Sequence, residues 1–407
     1  MSKKAKKIEP QVEEIKLDIP EEDIWTYKVD GLAAPRIGVE PKHYNIKKVI
    51  FVLVIVVAVV LSCFFSVLAL VKDTFEYEEV QNGYKFTRFS NTGYIYELDI
   101  DYALDVKYEL GNSDPTKNFE IIKDESKPIV EVGSYVLNCD EKVRVINIGA
   151  GVEKIDAKAF YSCWALREIN VDENNPNYSS VDGVLYNKDK TVLICRPCDH
   201  DSYLADKYGF GEYDENGWRI EIASDDARYA QYEKDVLTFV VPSSVKVIGE
   251  MALNYSNVAN VYLPEGLEKI ETLAFFKSTL FKNIYTYKAD AAVTDSHFTS
   301  EEALGEVYLS FPESLTYIGS DAFSYNRDLT YIYIPANVEY IGHHAFWDTV
   351  YKEDGELKGV AQICVNAASE EELESKVQLG ENWKPKYDWL LFKKNVDVVY
   401  GQQRQAK

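Results

Sequence analysis

Cys195 and Cys198, with His200 just behind them, are the residues of this chain best suited to chemistry. Their spacing fits a local disulfide in an oxidising compartment or one half of a zinc site. No second ligand pair at matching spacing accompanies them, so the sequence predicts no metal. The cysteines are too few for a disulfide framework in 407 residues, and we expect them to be buried as small apolar groups.

The segment 200–202, His-Asp-Ser, contains the residue types of a catalytic triad. A triad is assembled by geometry from separated segments, however, and these three residues are sequence neighbours. The chain also lacks a glycine-rich phosphate loop and a pair of carboxylates in an apolar setting. We therefore expect no catalytic residues, no cofactor and no enzymatic activity.

Two further groups contain metal-ligand types. Asp99, Asp101 and Asp105 lie in a β-like segment, but no glycine stands where a calcium loop needs its sharp bend, so they are interpreted as a solvated strand face. His343 and His344 precede an Ala-Phe dipeptide and are interpreted as solvent-facing loop histidines.

A sequence repeat predicts the secondary-structure elements that position these residues. One pattern of six apolar residues recurs, and the last two copies are displaced by 23 residues. The copies span residues 146–160, 239–253, 261–275, 309–323 and 332–346, and residues 129–137 hold the tail of a sixth. A fixed period of this length is typical of stacked units, so the sequence predicts a repeat solenoid.

The composition of one copy explains why the copies stack. Its opening alternation, as in Ile332-Tyr333-Ile334, has a period of two and predicts a short strand with one buried face. Pro335 ends that strand, and a second apolar set ending in Ala-Phe turns back over it. Because one unit leaves its core open and its strand edge unpaired, we expect neighbouring units to stack into a parallel β-sheet.

Segments such as VYLPEGLEKIETLAF, SFPESLTYIGSDAF and IPANVEYIGHHAFW resemble the BspA-like class of leucine-rich repeat, whose unit has the form I-x-I-P-x-x-V-x-x-I-G-x-x-A-F. Cys139 and Cys163 fit the cysteine that often follows. Residues 175–197 are similar to a hairpin insertion of that family, and residues 363–385 resemble its usual ending. The resemblance implies BspA-like leucine-rich repeats of 22–23 residues, in a bacterial surface protein whose repeats carry no catalytic residues.

The first 71 residues differ from the repeats in composition. Residues 1–48 hold ten Lys or Arg and nine Asp or Glu without a helical stripe, so we expect a disordered tail. Within it, residues 21–32 form a candidate docking peptide for a cytoplasmic partner. Residues 49–71 are an uncharged run of 23 residues, long enough for a membrane-spanning helix.

The charges that flank residues 49–71 predict an orientation. Lysines precede the run and acidic residues follow it, so the positive-inside rule places the N-terminus in the cytoplasm and the repeats outside the cell membrane. A cleaved signal peptide would need a shorter leader and a shorter apolar run. Lipidation at Cys63 would remove residues that the span requires.

Beyond the membrane segment, residues 72–126 are interpreted as a β-rich juxtamembrane cap that contains a hairpin. Residues 127–362 form the predicted solenoid, with insertions at 199–236 and 282–305, and residues 363–407 form its C-terminal cap and tail. These regions together hold 34 Lys or Arg and 58 Asp or Glu. Such a surface repels nucleic acid and anionic glycans, which excludes both as expected partners.

Residues between the buried positions of each opening strand must point away from the core. In the last three copies they include Tyr262, Tyr308, Tyr331 and Tyr333. Stacked strands lie about 4.8 Å apart, so these four rings predict an exposed aromatic patch that binds a partner. The alternative is that the tyrosines merely suit strands and support the sheet by stacking on one another.

The observations favour a membrane-anchored, non-catalytic cell-surface module, adhesin-like, that binds a protein or glycan outside the cell. The alternative is a structural or regulatory membrane protein that scaffolds or senses through its repeats while its tail meets a cytoplasmic partner. No feature of the sequence names the ligand.

Overall fold

The computed structural model describes residues 74–90, 95–108, 119–137, 140–215, 219–278, 280–288, 306–329, 331–353, 356–359, 362–389, 392–395 and 397–403. The predicted disordered tail and membrane-spanning helix, residues 1–48 and 49–71, lie outside these ranges. Within them, no helix combines the length and the apolar character needed to cross a bilayer.

Short strands dominate the described residues. In chain order they are β1 (Thr74–Val80), β2 (Gly83–Ser90), β3 (Glu97–Ile100), β4 (Tyr102–Tyr108), β5 (Phe119–Val132), β6 (Val145–Ile148), β7 (Lys154–Ile155), β8 (Glu168–Val171), β9 (Tyr178–Val181), β10 (Val184–Asn187), β11 (Val192–Cys195), β12 (Thr238–Val240), β13 (Val247–Ile248), β14 (Asn260–Pro264), β15 (Lys269–Ile270), β16 (Asn283–Lys288), β17 (Glu306–Tyr308), β18 (Tyr317–Ile318), β19 (Tyr331–Ile334), β20 (Tyr340–Ile341), β21 (Val350–Glu353), β22 (Glu356–Gly359), β23 (Gln362–Val365), β24 (Gln378–Leu379), β25 (Lys386–Trp389), β26 (Phe392–Asn395) and β27 (Asp397–Val399). Three helices accompany them in these ranges: α1 (His200–Tyr208), α2 (Tyr229–Asp235) and α3 (Glu370–Lys376).

Each repeat forms one coil with two strands, an opening strand and a short strand of two residues. In the coil of residues 260–275, these are β14 and β15. Opening strands of successive coils pair in parallel, with Val261 opposite Phe239 on one side and Ile284 on the other. Equivalent apolar residues therefore stack directly, which confirms the predicted leucine-rich-repeat solenoid.

The two kinds of strand form sheets of different continuity. The short strands β13, β15, β18, β20 and β24 join β9, β10 and β11 in one sheet of eight strands. The opening strands instead divide among three sheets, in the orders β3-β6-β8, β12-β14-β16-β17 and β19-β23-β27.

Among the described residues, four coils are interrupted between the opening strand and the short strand, one of them by α3 between β23 and β24. The predicted insertion 282–305 begins inside another of them, because Asn283–Lys288 is the opening strand of the coil that closes with Phe323. Strand β17 then pairs with β16 antiparallel. The boundary proposed at residue 282 is therefore wrong, since the inserted segment follows the opening strand instead of preceding it.

The same interruption accounts for the region expected to be an N-terminal cap. The hairpin predicted over residues 84–102 would pair β2 with β3. Strand β3 instead pairs in parallel with β6, with Leu98 opposite Ile146. It opens a coil that continues through the end of β5, where Val132 pairs with Ile155. Strand β4 and most of β5 form an antiparallel excursion between these two points. The fourth interrupted coil opens with β8 and contains the hairpin of β9 and β10.

Stacked phenylalanines fill the centre of the solenoid. Phe275, Phe323 and Phe346 are fully buried, and their ring centroids are 5.0 and 5.3 Å apart in successive coils. The rings are nearly parallel, with interplanar angles of 10° and 13°. The Ala-Phe position thus supplies a continuous aromatic column that ties the coils together.

The buried side chains form two large clusters that meet at one strand. The N-terminal cluster extends from Phe86 to Leu185, and the C-terminal cluster extends from Val184 to Trp383. Val184 and Leu185 are neighbours in β10 and point to opposite faces, as the two-residue period of a strand requires. Strand β10 is therefore a shared wall between the two cores.

Candidate functional site

The four predicted tyrosines do not form an exposed patch. Tyr262 and Tyr333 are only 2% and 1% exposed, whereas Tyr308 and Tyr331 are half-buried. The predicted solvent exposure is therefore wrong for Tyr262 and Tyr333.

A second, smaller apolar layer explains the burial of Tyr262. Its ring stacks on Tyr285 at 4.8 Å, and it forms a cluster with Val240 and Tyr287 against which Val307 of β17 packs. The Tyr287 hydroxyl donates to the Val241 carbonyl at 2.6 Å, and burial raises the pKa of Tyr287 above its usual value. This part of the opening sheet is packed on both faces.

The cysteine and histidine residues of the first motif serve as core. Cys195 and Cys198 are free thiols, and burial raises the pKa of Cys195 to about 12, which makes it a poor nucleophile at neutral pH. The His200 ring lies 2.8 Å through Nδ1 from the Arg167 carbonyl. The expectation of burial is confirmed for Cys163, Cys198 and Cys364, whereas Cys195 is partly buried.

The triad residue types at 200–202 do not converge. His200 contacts the Arg167 carbonyl, the fully buried Asp201 pairs with Arg219, and Ser202 Oγ donates to Asp199 Oδ1 at 2.5 Å. Each side chain has a separate structural partner, so the segment has no triad geometry.

A polar cavity of about 350 Å³ lies over the first opening sheet. Its lining includes Asp99, Asp101, Asn147 and Asn170. Asn147 Nδ2 donates to Asp99 Oδ1 at 2.8 Å, and Asn170 Nδ2 donates to Asn147 Oδ1 at 3.1 Å. This amide and carboxylate ladder is hydrogen-bonded to itself and confirms the expected polar strand face.

A continuous aromatic surface lies instead along the turns beside the Ala-Phe positions. We call it the aromatic strip, and it comprises Tyr135, Tyr161, Trp164, Tyr255, Phe276 and Tyr325. Tyr161 lies 5.7 Å from Tyr135 and 6.1 Å from Tyr255. Trp164 lies 4.3 Å from Tyr255, measured between ring centroids.

The strip continues across the next coils. Phe276 lies 5.8 Å from Tyr255 and 5.4 Å from Tyr325, and both pairs meet nearly edge to face. Tyr135, Trp164 and Tyr325 are 43%, 41% and 37% exposed, so the strip is open to solvent at both ends. Contiguous exposed aromatic surface on a soluble fold is typical of an interaction site.

The repeat itself places these rings in line. Tyr255 and Tyr325 have left-handed backbones, with φ of 55° and 64°. Their backbone N–H groups donate to carbonyls of the next coil, at Phe276 and Trp347 respectively. Because the same turn recurs in each coil, residues at this position stack along the solenoid.

One cation lies within the strip. Lys277 Nζ is 5.2 Å from the Tyr325 ring centroid, 5.6 Å from Phe276 and 5.7 Å from Tyr255. Cation–π attraction holds the ammonium over the rings and gives this surface a positive centre. The surrounding domain is strongly acidic, so the strip differs from its background in both polarity and charge.

His343, His344 and Asp321 form a second group at the surface, in two neighbouring coils. The two imidazole centroids are 3.6 Å apart, and His344 Nδ1 lies 3.9 Å from Asp321 Oδ1. Burial and the neighbouring His343 lower the pKa of His344, whereas Asp321 and Glu381 oppose that shift. These histidines are grouped with a carboxylate, a feature that the sequence alone did not reveal.

The stacked parallel strands, short coils and buried aromatic column define a leucine-rich-repeat solenoid. The BspA type leucine-rich repeat region matches the chain in six copies, over residues 110–182 and 227–352, so the solenoid contains BspA-type leucine-rich repeats. No match was found among curated proteins.

Several bacterial structures are similar to the chain. A leucine-rich repeat protein from Eubacterium ventriosum shares 16% identity at a TM-score of 0.34, over 63% of this chain and 58% of that one. The pneumococcal vaccine antigen PcpA shares 18% identity at 0.32, over 68% and 63%. A leucine-rich cell surface protein from Faecalibacterium prausnitzii shares 17% at 0.29, over 76% and 71%. The chain thus spans less than two thirds of the first two structures.

Proposed function

We propose that this protein is a non-catalytic cell-surface module that binds a protein partner through the aromatic strip. The observation that carries the proposal is the unbroken series of ring contacts from Tyr135 to Tyr325, with exposed rings at both ends. Aromatic side chains of this kind supply large contact area at a small entropic cost, which suits them as interface anchors.

The composition of the strip favours a protein over a glycan. Tyr, Trp and Phe are enriched at protein interfaces. Adjacent rings meet largely edge to face, so they form a ridged surface instead of a flat platform. The acidic domain around it repels anionic polymers and leaves neutral or basic partner surfaces as the better match.

Photo-crosslinking on intact cells tests whether the partner of the aromatic strip is a protein. A photoreactive residue replaces Trp164 or Tyr325 in the full chain displayed on intact cells, and Tyr96, which is 43% exposed but not in the strip, is replaced as the matched control. We expect covalent protein adducts from the two strip positions and not from the control. Adducts with glycan alone would refute a protein partner, and adducts equal at all three positions would refute the strip.

Affinity for the captured partner then tests the energetics. Trp164→Ala and Tyr325→Ala should each weaken binding by about 1–2 kcal/mol, as truncation of an interface anchor does. Tyr96→Ala should leave affinity unchanged, and all three should keep melting temperatures close to that of the parent because the side chains are exposed.

The proposal includes anchoring by residues 49–71, with residues 1–48 in the cytoplasm and the repeats outside. Its support is the uncharged 23-residue run and the lysines that precede it. Protease added to intact cells should digest the repeats and spare an epitope on the tail. Digestion of the tail with protection of the repeats would reverse the orientation, and release of intact protein by washing would refute the anchor.

A further inference from the structure

Asp321 and His344 occupy equivalent positions in neighbouring coils, immediately before the Ala-Phe pair. Both have left-handed backbones, with φ of 53° and 55°, a conformation in which Asp, Asn and His are enriched among non-glycine residues. The Asp321 N–H donates to the His343 carbonyl at 2.9 Å, and the His344 N–H donates to the Glu381 carbonyl at 3.1 Å. The coil ladder therefore fixes the backbone that carries all three side chains.

The three side chains offer metal-ligand atoms in one place. A ring nitrogen from each histidine and a carboxylate oxygen from Asp321 all lie within 4.8 Å of one another. Bound zinc holds imidazole nitrogens at about 2.0–2.1 Å and carboxylate oxygens at about 2.0–2.2 Å, so modest side-chain rotation would close the set around an ion. His344 and Asp321 are 27% and 31% exposed, which leaves room for that rotation.

We propose that Asp321, His343 and His344 form a binding site for a divalent transition metal, with zinc as the ion best matched to the ligands. Two imidazoles and one carboxylate suit zinc far better than calcium or magnesium, which prefer oxygen ligands. Three protein ligands also leave a fourth tetrahedral position open, and the partly exposed site lets water or a partner's side chain occupy it.

The placement of the ligands gives the ion a structural consequence. Asp321 belongs to one coil and the two histidines belong to the next, so a bound ion links successive coils. An ion that binds the folded state but not the unfolded chain stabilises the fold in proportion to its saturation. The His344 ring also lies 4.5 Å from Trp347, whose carbonyl accepts the N–H of Tyr325 in the aromatic strip.

Cobalt absorption and zinc competition on the metal-free full chain, purified in detergent without a histidine tag, test the site. Co²⁺ bound in place of zinc gives visible absorption bands, and Zn²⁺ should displace it. The variants are Asp321→Asn, His344→Asn and His343→Ala. Asn is chosen at the two left-handed positions because it tolerates that backbone. His43→Ala, in the N-terminal segment, is the matched control.

We expect one equivalent of Zn²⁺ and a zinc-dependent rise in melting temperature in the parent and in His43→Ala. Each site variant should bind Zn²⁺ about tenfold or more weakly, since loss of a direct ligand costs at least as much as loss of its supporting partner. The far-UV circular dichroism of the metal-free variants should match the parent. Parental affinity in all three site variants would overturn the site, and binding without a rise in melting temperature would overturn the link between coils.

Discussion

At the scale of single residues, the aromatic column makes the largest predicted contribution to stability. Phe346→Ala and Phe275→Ala remove fully buried rings that stack on Phe323. Each should lower the free energy of unfolding by about 3–5 kcal/mol, through lost transfer energy and the cavity left behind. Denaturant titration measures the change, with Phe276→Ala, half-buried in the aromatic strip, as the control. A cost for Phe276 equal to that for Phe346 would contradict the column.

Two buried arginines near α1 make opposite predictions. Arg196 is 1% exposed, and its three guanidinium nitrogens have no hydrogen-bond partner. It lies 5.5 Å from the Phe239 ring, and burial lowers its pKa to about 10. Arg219, in contrast, pairs with the fully buried Asp201.

Arg196→Met should therefore raise stability by about 1–3 kcal/mol, because an apolar side chain of similar length replaces an unpaired buried charge. Arg219→Met should lower it by about 3–5 kcal/mol, because Asp201 loses its hydrogen-bonded counter-charge. Thermal and chemical denaturation of both variants measures the two signs. A loss of stability in Arg196→Met would show that the guanidinium is satisfied in solution.

Asp199 gives a prediction for pH. Burial, and secondarily the charge of Asp201, raise the pKa of Asp199 to about 6. Between the unfolded pKa of about 3.9 and this value, the folded state holds the proton more tightly, so its contribution to stability is lost as pH rises. Relative to Asp199→Asn, the parent should lose up to about 3 kcal/mol between about pH 3 and pH 7 and then level off. A flat difference between the two denaturation curves would contradict the raised pKa.

At the scale of elements, one glycine of the repeat is required by close approach between coils. A Cβ built on Gly342 would lie 2.3 Å from the Ser320 backbone nitrogen and 2.5 Å from the Gly319 carbonyl carbon. These nearest atoms are all backbone of the neighbouring coil, so no flexible side chain can move to make room.

Gly342→Ala should accordingly lower the free energy of unfolding by about 3 kcal/mol or more, at or above the upper end of the usual cost of overpacking a core. Gly151→Ala is the control, because its nearest neighbour, the Ile129 carbonyl oxygen, would be 3.9 Å from the new Cβ. Melting temperatures that fall equally in both variants would show that the coils are not in close contact at Gly342.

The strand register of coils without an inserted segment was predictable from the sequence, and that of coils with an inserted segment was not. The copies at 261–275 and 332–346 keep strand, proline and Ala-Phe at fixed spacing, so periodicity alone gives their register. The coil that opens with Asn283–Lys288 resumes only near Phe311, after an inserted segment. A repeat pattern of fixed length does not recognise that the strand before the insertion and the apolar residues after it belong to one coil, because their register is set by pairing with the neighbouring coil.

The sequence predicted that the candidate site would be aromatic but did not predict which residues form it. The sequence indicated stacked tyrosines, but Tyr262 is covered by Val307 and Tyr285, a tertiary effect that strand alternation does not contain. The aromatic strip uses residues next to the Ala-Phe position, such as Tyr161 and Phe276. Aromatic residues recur directly after that dipeptide, and this recurrence could have predicted the strip from the sequence.

At the scale of the whole molecule, β10 separates two cores that should respond independently to mutation. Leu185→Ala removes a side chain from the N-terminal cluster, and Val184→Ala removes one from the C-terminal cluster. Loss of buried contacts lowers protection chiefly in the cooperative unit that contained them. The two substitutions are each other's control, because they are adjacent in one strand.

Native-state hydrogen exchange followed by mass spectrometry should therefore show opposite patterns. Leu185→Ala should speed exchange in peptides from residues 143–171, and Val184→Ala should speed it in peptides from residues 258–275. The same peptides affected in both variants would show one cooperative core in place of two.

The unequal continuity of the sheets has a mechanical consequence. The short strands from β9 to β24 form one uninterrupted sheet, whereas the opening strands are broken between β8 and β12 and again between β17 and β19. A hydrogen-bonded ladder resists being pulled apart along its stacking direction, and a gap in it does not. From the coil that opens with β8 to the coil that opens with β23, tension along the solenoid should then be carried on the short-strand side, while the opposite side yields at its two seams. Under tension along its axis, the solenoid should therefore bend before its strands separate. The direction of bending is set by the opening-strand side, where the two seams lie.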